Sequence, residues 1–380
     1  MTSLFSPYTL KDVTLRNRIV ASPMCQYQAT DGALNDWHTT HYETLAKGGA
    51  GLVVVEATSV SPEGRITPGD AGLWSDAHVA GFTGIAAVIK KAGAVPGIQL
   101  SHAGRKAGCT PPWEGGHPLE QGDARRWTPV SASAVPYVPD SSYVPEALTV
   151  EGIQRIHADF ADAAARALRA GFEWLELHFA HGFLAQSFMS PKANLRTDQY
   201  GGSLPNRARF LLETVAAVKQ VWPQNLPLTI RFGTVDFEED LEASMADSVQ
   251  VLQWLKEGGV DFVDCSLSLA VPGEPVPWAP NFMVPLAEHV RAETGLPVGT
   301  SWMITDVHQA DQFIRSGSLD LVCFARTLLA NPHWPFLAAR ALGVADPAAV
   351  LPTPYAYWLH LCNGTARDRD ARHFMHAVSV

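Results

Sequence analysis

The chain has 380 residues, 47% of them apolar, and a formal net charge of −10 at pH 7. That apolar share fills a sizeable core, so composition excludes a disordered chain. The acidic balance argues against broad binding to nucleic acid or to an anionic membrane, while leaving room for a small basic pocket that takes a phosphate.

In chain order, short apolar runs at 19–21, 51–56, 95–100, 174–177, 228–232, 262–266, 297–299 and 319–324 read as strands. Helical periodicity is clearest between them, at 75–91, 151–170, 241–257 and 306–316. The joints Gly48-Gly49-Ala50-Gly51, Ala170-Gly171 and Gly258-Gly259 look like helix C-caps that feed the next strand. Strands that are apolar throughout and alternate with helices imply a parallel sheet covered on its outer face. Eight such units predict an α/β fold, the (β/α)8 TIM barrel. A plain barrel takes roughly 250 residues, so the chain carries a surplus. One part is 101–150, with seven prolines and little periodicity. It is expected as a long loop after strand three, a lid over the barrel mouth. The other is a C-terminal extension over 345–380. No repeat or boundary divides the chain, which reads as one domain over 1–380.

In such a barrel the catalytic groups come from the C-terminal ends of strands. Ser22-Pro23-Met24-Cys25-Gln26-Tyr27 follows the first strand and Ala57 the second. Gln99 ends the third, ahead of Ser101-His102-Ala103-Gly104-Arg105-Lys106. After the fourth come His178 and His181, spaced to aim two imidazoles at one point, and then Asn194-Leu195-Arg196-Thr197-Asp198-Gln199-Tyr200-Gly201-Gly202-Ser203. That turn-rich polar block is costly to bury unless it builds a site. Arg231, inside the apolar fifth strand, needs a partner, either a ligand or an acidic neighbour such as Glu176 or Asp264. The seventh and eighth strands end in Ser301-Trp302-Met303 and Phe324-Ala325-Arg326, the usual phosphate end of these barrels. A His-x-x-His pair also suits zinc, yet the neighbouring strand ends offer Glu56, Gln99, Arg231 and Cys265, a poor ligand set.

The His178-x-x-His181 pair and the Arg196-Thr197-Asp198-x-Tyr200-Gly201-Gly202-Ser203 run resemble the signatures of the Old Yellow Enzyme family of FMN-dependent ene-reductases. The resemblance spans residues 4 to about 360 and is nearest to the bacterial subclass that includes xenobiotic reductase A. It implies bound FMN, NADPH or NADH as reductant, and ping-pong turnover of small electron-poor substrates: α,β-unsaturated carbonyls, quinones or nitro compounds. It sets Pro23 and Met24 along the flavin, Cys25 at its reactive edge and Ala57 in close backbone approach. Gln99 would meet the pyrimidine, Arg231 the N1–O2 locus, and Ser301, Trp302, Met303, Ala325 and Arg326 the phosphate end. His178 and His181 would hold the substrate oxygen, with Tyr27, Phe183, Trp302 and Trp358 lining the substrate pocket. Trp358 lies in a tail that reaches the neighbouring subunit in related enzymes, which implies a homodimer or higher oligomer.

The sequence departs from the family at three positions. Relatives usually carry glycine at Met303 and Ala325, so those residues need a negative φ or local strain. They commonly carry tyrosine at Phe183, the residue that gives a proton to the substrate, leaving Tyr27 or water as the source. Two other readings stay open at this point: a metal-assisted hydrolase using the histidine pair, and a flavin-binding protein with impaired reductase activity. Five cysteines without paired spacing fit a reducing compartment. With no basic-then-apolar N-terminus and no membrane-length apolar run, the expected location is cytoplasmic.

Overall fold

The computed structural model describes residues 2–139, 141, 143–237 and 240–362; the part of the expected C-terminal extension over 363–380 lies outside the described residues. Eight strands form a closed barrel: β1 (Ile19–Ala21), β2 (Leu52–Ser59), β3 (Val95–Ser101), β4 (Trp174–Phe179), β5 (Leu228–Val235), β6 (Phe262–Leu267), β7 (Val298–Thr300) and β8 (Leu321–Phe324). Neighbours pair in parallel, and β8 returns to β1. A helix follows each strand: α1 (Asp36–Lys47), α2 (Val79–Lys91), α3 (Val150–Ala170), α4 (Leu204–Lys219), α5 (Leu241–Gly258), α6 (Val284–Thr294), α7 (Val307–Ser316) and α8 (Trp334–Ala341). The fold is the (β/α)8 barrel.

Local chemistry sets these elements. In α3 the Thr149 side chain accepts the Gly152 N–H, and Gly171 ends the helix at a φ of 93°, which a residue without Cβ adopts at little cost. Between the caps, Ile153, Ile156, Phe160, Ala163, Ala164 and Ala167 form the stripe that packs on the barrel. The periodicity reading expected a helix after every strand but set no bounds for α1, α4, α6 and α8. In α1 the reason is visible: His38 and Tyr42 sit on the buried face beside Leu45 and Ala46, so polar residue types hide an amphipathic helix.

Inside the barrel the period-two alternation of each strand builds layers. The lower layers are apolar, with Val20, Leu52, Val54, Trp174, Phe262, Leu321 and Cys323. A hairpin of Tyr8–Leu10 and Val13–Leu15, absent from the sequence reading, packs Tyr8, Val13 and Leu15 against them. Further along the same strands the buried residues turn polar: Glu56, Gln99, Glu176, Arg231 and Asp264. Register puts Gln99 opposite Glu176, and Arg231 opposite both Asp264 and His178.

Among its described residues, the segment after β3 contributes only short turns and the paired strands Val130–Ser131 and Glu146–Ala147. It is tied down from outside. Arg196 donates Nη1 to the carbonyls of Ala132 (2.9 Å) and Leu148 (2.5 Å) while its other nitrogens bind Asp198. The Leu195 N–H reaches Ser133 Oγ at 2.9 Å. The Arg-Thr-Asp block therefore satisfies its polar groups by anchoring this long segment. After α8 the chain forms a last helix, Thr353–Cys362, which leaves Tyr355, Tyr357 and Trp358 exposed. No described helix is long and apolar enough to cross a membrane.

Candidate active site at the barrel mouth

The C-terminal ends of β4 and β6 bring His178, His181 and Ser266 together. His178 Nδ1 accepts the Ala180 N–H at 3.3 Å, which fixes its proton on Nε2. That Nε2 lies 3.2 Å from His181 Nδ1. His181 Nε2 lies 2.8 Å from Ser266 Oγ, and the same Oγ takes the indole N–H of Trp302 at 2.9 Å. Instead of aiming independently at one point, the imidazoles are joined in series. Burial, and then the nearby Arg231, hold both well below the usual histidine range, so both are neutral at physiological pH. The Phe183 ring lies edge-on to His178, centroids 4.8 Å apart.

Arg231 has two neighbours: its Nε is 3.2 Å from Asp264 Oδ2, and Nη2 donates to Ser301 Oγ at 3.2 Å. The acidic-neighbour reading of this arginine thus holds for Asp264, and a ligand-facing role is compatible with it. Gln99 donates its amide to Glu176 Oε1 at 2.8 Å. Burial first, then the Asp264 charge, pushes Glu176 up to about 8, so it keeps its proton at neutral pH.

On the opposite side, Cys25 and Tyr27 are close enough for each to act on the other's proton. Burial raises both the thiol and the phenol, so Tyr27 holds its proton tightly, an unfavourable property for a general acid. Its ring lies edge-on to Trp113 of the long segment, centroids 5.8 Å apart. Beneath them the fully buried Glu56 accepts the Gln26 N–H and the Tyr42 hydroxyl. Burial lifts it to about 8. Pro23 and Met24 are half-buried, and Ala57 falls where the β2–β3 register shifts between Val55 and Thr58.

Backbone strain gathers at this end. Tyr27, His181 and Met303 adopt φ of 54°, 60° and 58°, a left-handed conformation that costs a residue with Cβ about 1–3 kcal/mol. Met303 therefore takes the glycine-like conformation, whereas Ala325 avoids it with a φ of −113°. Arg326 follows it, exposed, at the start of the short helix Arg326–Ala330. Trp358 is 66% exposed on the tail helix, its ring edge-on to Tyr357; within one chain no described contact joins it to the mouth.

Reading single residues missed Ser266 and gave Arg105 and Lys106 no role, while Glu176, named there as a partner for Arg231, is held instead by Gln99. Ser266 is 85 residues from His181, and only barrel closure brings them together. Arg105 and Lys106 carried a signal: adjacent cations in a loop entering the expected mouth.

Ser22 Oγ is buried without a hydrogen-bond partner among the described residues, and such an atom calls for a ligand or water. No group of three His, Cys, Asp or Glu among the described residues is arranged to hold a metal ion.

Known proteins share this sequence and architecture. The profile of the NADH:flavin oxidoreductase / NADH oxidase family matches residues 3–343. An NADPH dehydrogenase of Geobacillus thermodenitrificans is 42% identical over 351 residues, covering 92% of this chain and 97% of the relative. That of Bacillus subtilis is 40% identical over 349 residues, covering 91% and 97%. Morphinone reductase in complex with tetrahydroNAD superposes with a TM-score of 0.72 at 28% identity, over 92% of this chain and 94% of that one. An old yellow enzyme homologue from Zymomonas mobilis gives 0.72 at 25% identity, over 88% and 91%. The chain belongs to the NADH:flavin oxidoreductase / NADH oxidase family, the Old Yellow Enzyme group, and is an FMN oxidoreductase that draws its electrons from NAD(P)H.

Proposed function

We propose that the protein is an ene-reductase that saturates the activated C=C bond of α,β-unsaturated carbonyl compounds, with quinones and nitro compounds as further acceptors. The observation that carries this reading is the neutral, buried His178–His181–Ser266 array at the mouth. In the free site His178 Nε2–H donates to His181 Nδ1 at 3.2 Å. A substrate oxygen that replaces this bond takes the His178 proton, and the Ser266 hydroxyl, itself held by the Trp302 N–H, then donates to His181 Nε2 so that the His181 proton moves to Nδ1 as the second donor. The two donors polarise the conjugated bond and stabilise negative charge on that oxygen as Cβ is reduced. FMN bound here would supply the hydride-transfer chemistry that links the nicotinamide to the substrate.

Pro23, Met24, Cys25, Ala57, Gln99 and Arg231 would hold the ring system. Arg231 offers positive charge where electrons collect, which favours the reduced cofactor. Ser301, Trp302, Met303, Ala325 and Arg326 would hold the phosphate end. The segment over 101–150 serves as the lid, and the tail with Trp358 reaches a second subunit of a homo-oligomer. Phe183 has no proton to give, so the proton for Cα comes from Tyr27, which burial keeps protonated but makes a weaker acid, or from water.

The test is isotopic. Reduction of 2-cyclohexenone with NADPH carrying deuterium at its transferable position should give cyclohexanone labelled at Cβ, and D2O should label Cα. Product without Cβ label would remove the hydride-transfer reading.

A further inference from the structure

Between the 101–150 segment and Phe183 lies a cavity of about 260 Å³ whose walls include Arg105, Lys106, Cys109, Tyr137, Tyr143 and Phe183. Its charge is unbalanced. Arg105 is 4% exposed, yet it donates only to carbonyls, those of Val135 (3.4 Å), Pro136 (3.3 Å) and Ala270, and its Nε has no hydrogen-bond partner. Lys106 Nζ donates to the carbonyls of His181 (2.6 Å) and Leu269 (3.2 Å). The Tyr137 ring lies over both cations, 5.6 Å from Arg105 Cζ and 4.1 Å from Lys106 Nζ. Among the described residues neither cation has a carboxylate ion pair. Glu274 is the acid that acts on Lys106, but its Oε1 accepts the Phe237 N–H, and burial pushes it up to about 7. Buried charge of one sign without a counter-ion is costly, and carbonyl dipoles offset only part of it.

We propose that this cavity is an anion subsite, binding a carboxylate or phosphate on a molecule whose reactive part lies across Phe183 at His178 and His181. The inference rests on the ene-reductase reading of that mouth. One aromatic ring separates the two places: the Phe183 centroid is 4.8 Å from the His178 ring and 5.9 Å from Lys106 Nζ. The volume is small for a whole ligand site and suits an acidic substituent with a few carbons. The occupant is an activated alkene bearing an acid, or the reductant presenting a phosphate; both offer the oxyanion that a guanidinium and an ammonium recognise.

Lys106 adds a pH signature. Burial and Arg105 push it down to about 7, with Glu274 and Cys109 pulling the other way. Tyr137 and the neutral His181 also face it. It is charged below that pH and loses its proton as pH rises through it, so the subsite weakens in the same direction.

The test is calorimetric titration of the FMN-loaded, full-length protein with two unreactive imides, 3-succinimidopropionate and N-ethylsuccinimide. A parallel pair, NADP+ and NAD+, probes the phosphate source. The acid should bind about 10-fold more tightly than its neutral partner at about pH 6, and the ratio should fall by about pH 8 and in Lys106→Met, the part that remains being carried by the Arg105 guanidinium. The pH series in the unaltered protein decides the matter if variants fold poorly. A Lys106-dependent preference for NADP+ instead of the acidic imide would assign the subsite to the reductant. Equal affinities within both pairs would overturn the proposal. An acidic imide that binds while N-ethylsuccinimide does not would leave the anion site standing and count against the ene-reductase reading.

Discussion

The two ends of this barrel are built from the same strands and behave as opposites. At the N-terminal end, inward residues are apolar and the hairpin of residues 8–15 packs against them. At the C-terminal end, the next inward residues are polar, burial raises the carboxyls of Glu56, Glu176 and Asp264, and buried atoms without partners occur among the described residues. Left-handed φ angles at Tyr27, His181 and Met303 fall at that end. Strain and unsatisfied polarity persist only where the surrounding fold over-determines them. The lower layers and outer helices provide that rigidity, and the mouth converts it into a preorganised site.

Substitutions at each end should break different properties. Trp174→Ala, in the lower layer, removes a buried ring together with its hydrogen bond to Thr229. It should destabilise by about 3–5 kcal/mol, read as a lower midpoint in denaturant, while folded enzyme still binds FMN. His178→Ala and His181→Ala should reverse that pattern. Each removes an oxygen-binding donor and should lower kcat/KM for 2-cyclohexenone by roughly 10²–10³-fold, with a far smaller change in the midpoint.

Phe183→Tyr sharpens the comparison within the mouth. A phenol there supplies a general acid, worth about 10²-fold or more in the protonation step, so re-oxidation by enones should gain more than re-oxidation by quinones in stopped-flow traces. Glu176 tests the polar layer through pH. Its proton stays on in the folded state up to about 8, while the unfolded carboxyl loses it near its ordinary value of 4.5. The native state therefore binds the extra proton between these values, and Glu176 contributes stability that is lost as pH rises through about 8. Glu176→Gln should lack that loss, so its midpoint relative to the unaltered protein should climb across the window. Met303→Gly carries the smallest effect: relief of left-handed strain, about 1 kcal/mol, read as tighter FMN binding or a higher midpoint.

Barrel architecture was legible because each strand is a short continuous apolar run, the signature of a sheet buried on both faces. Strands Phe262–Leu267 and Leu321–Phe324 fall on their runs within three residues. The hairpin escaped because its strands, Tyr8–Leu10 and Val13–Leu15, are three residues each and show no usable period. The histidine pair was visible from local spacing. Its partner Ser266 was not, because serine is common and its place depends on closure over 85 residues. Arg196 adds what its motif alone did not tell. The motif read as part of a site, and its hydrogen bonds tie it to Ala132 and Leu148 of the long segment after β3.

The central claim is that the mouth reduces an activated alkene held by His178 and His181. The most direct measurement is the visible spectrum of the purified protein without oxygen, with one equivalent of NADPH and then 2-cyclohexenone. The account predicts a flavin band that bleaches with NADPH and returns with the enone, the return being slowed in His178→Ala. A band that bleaches but does not return with the enone, or returns at the same rate in that variant, would contradict it.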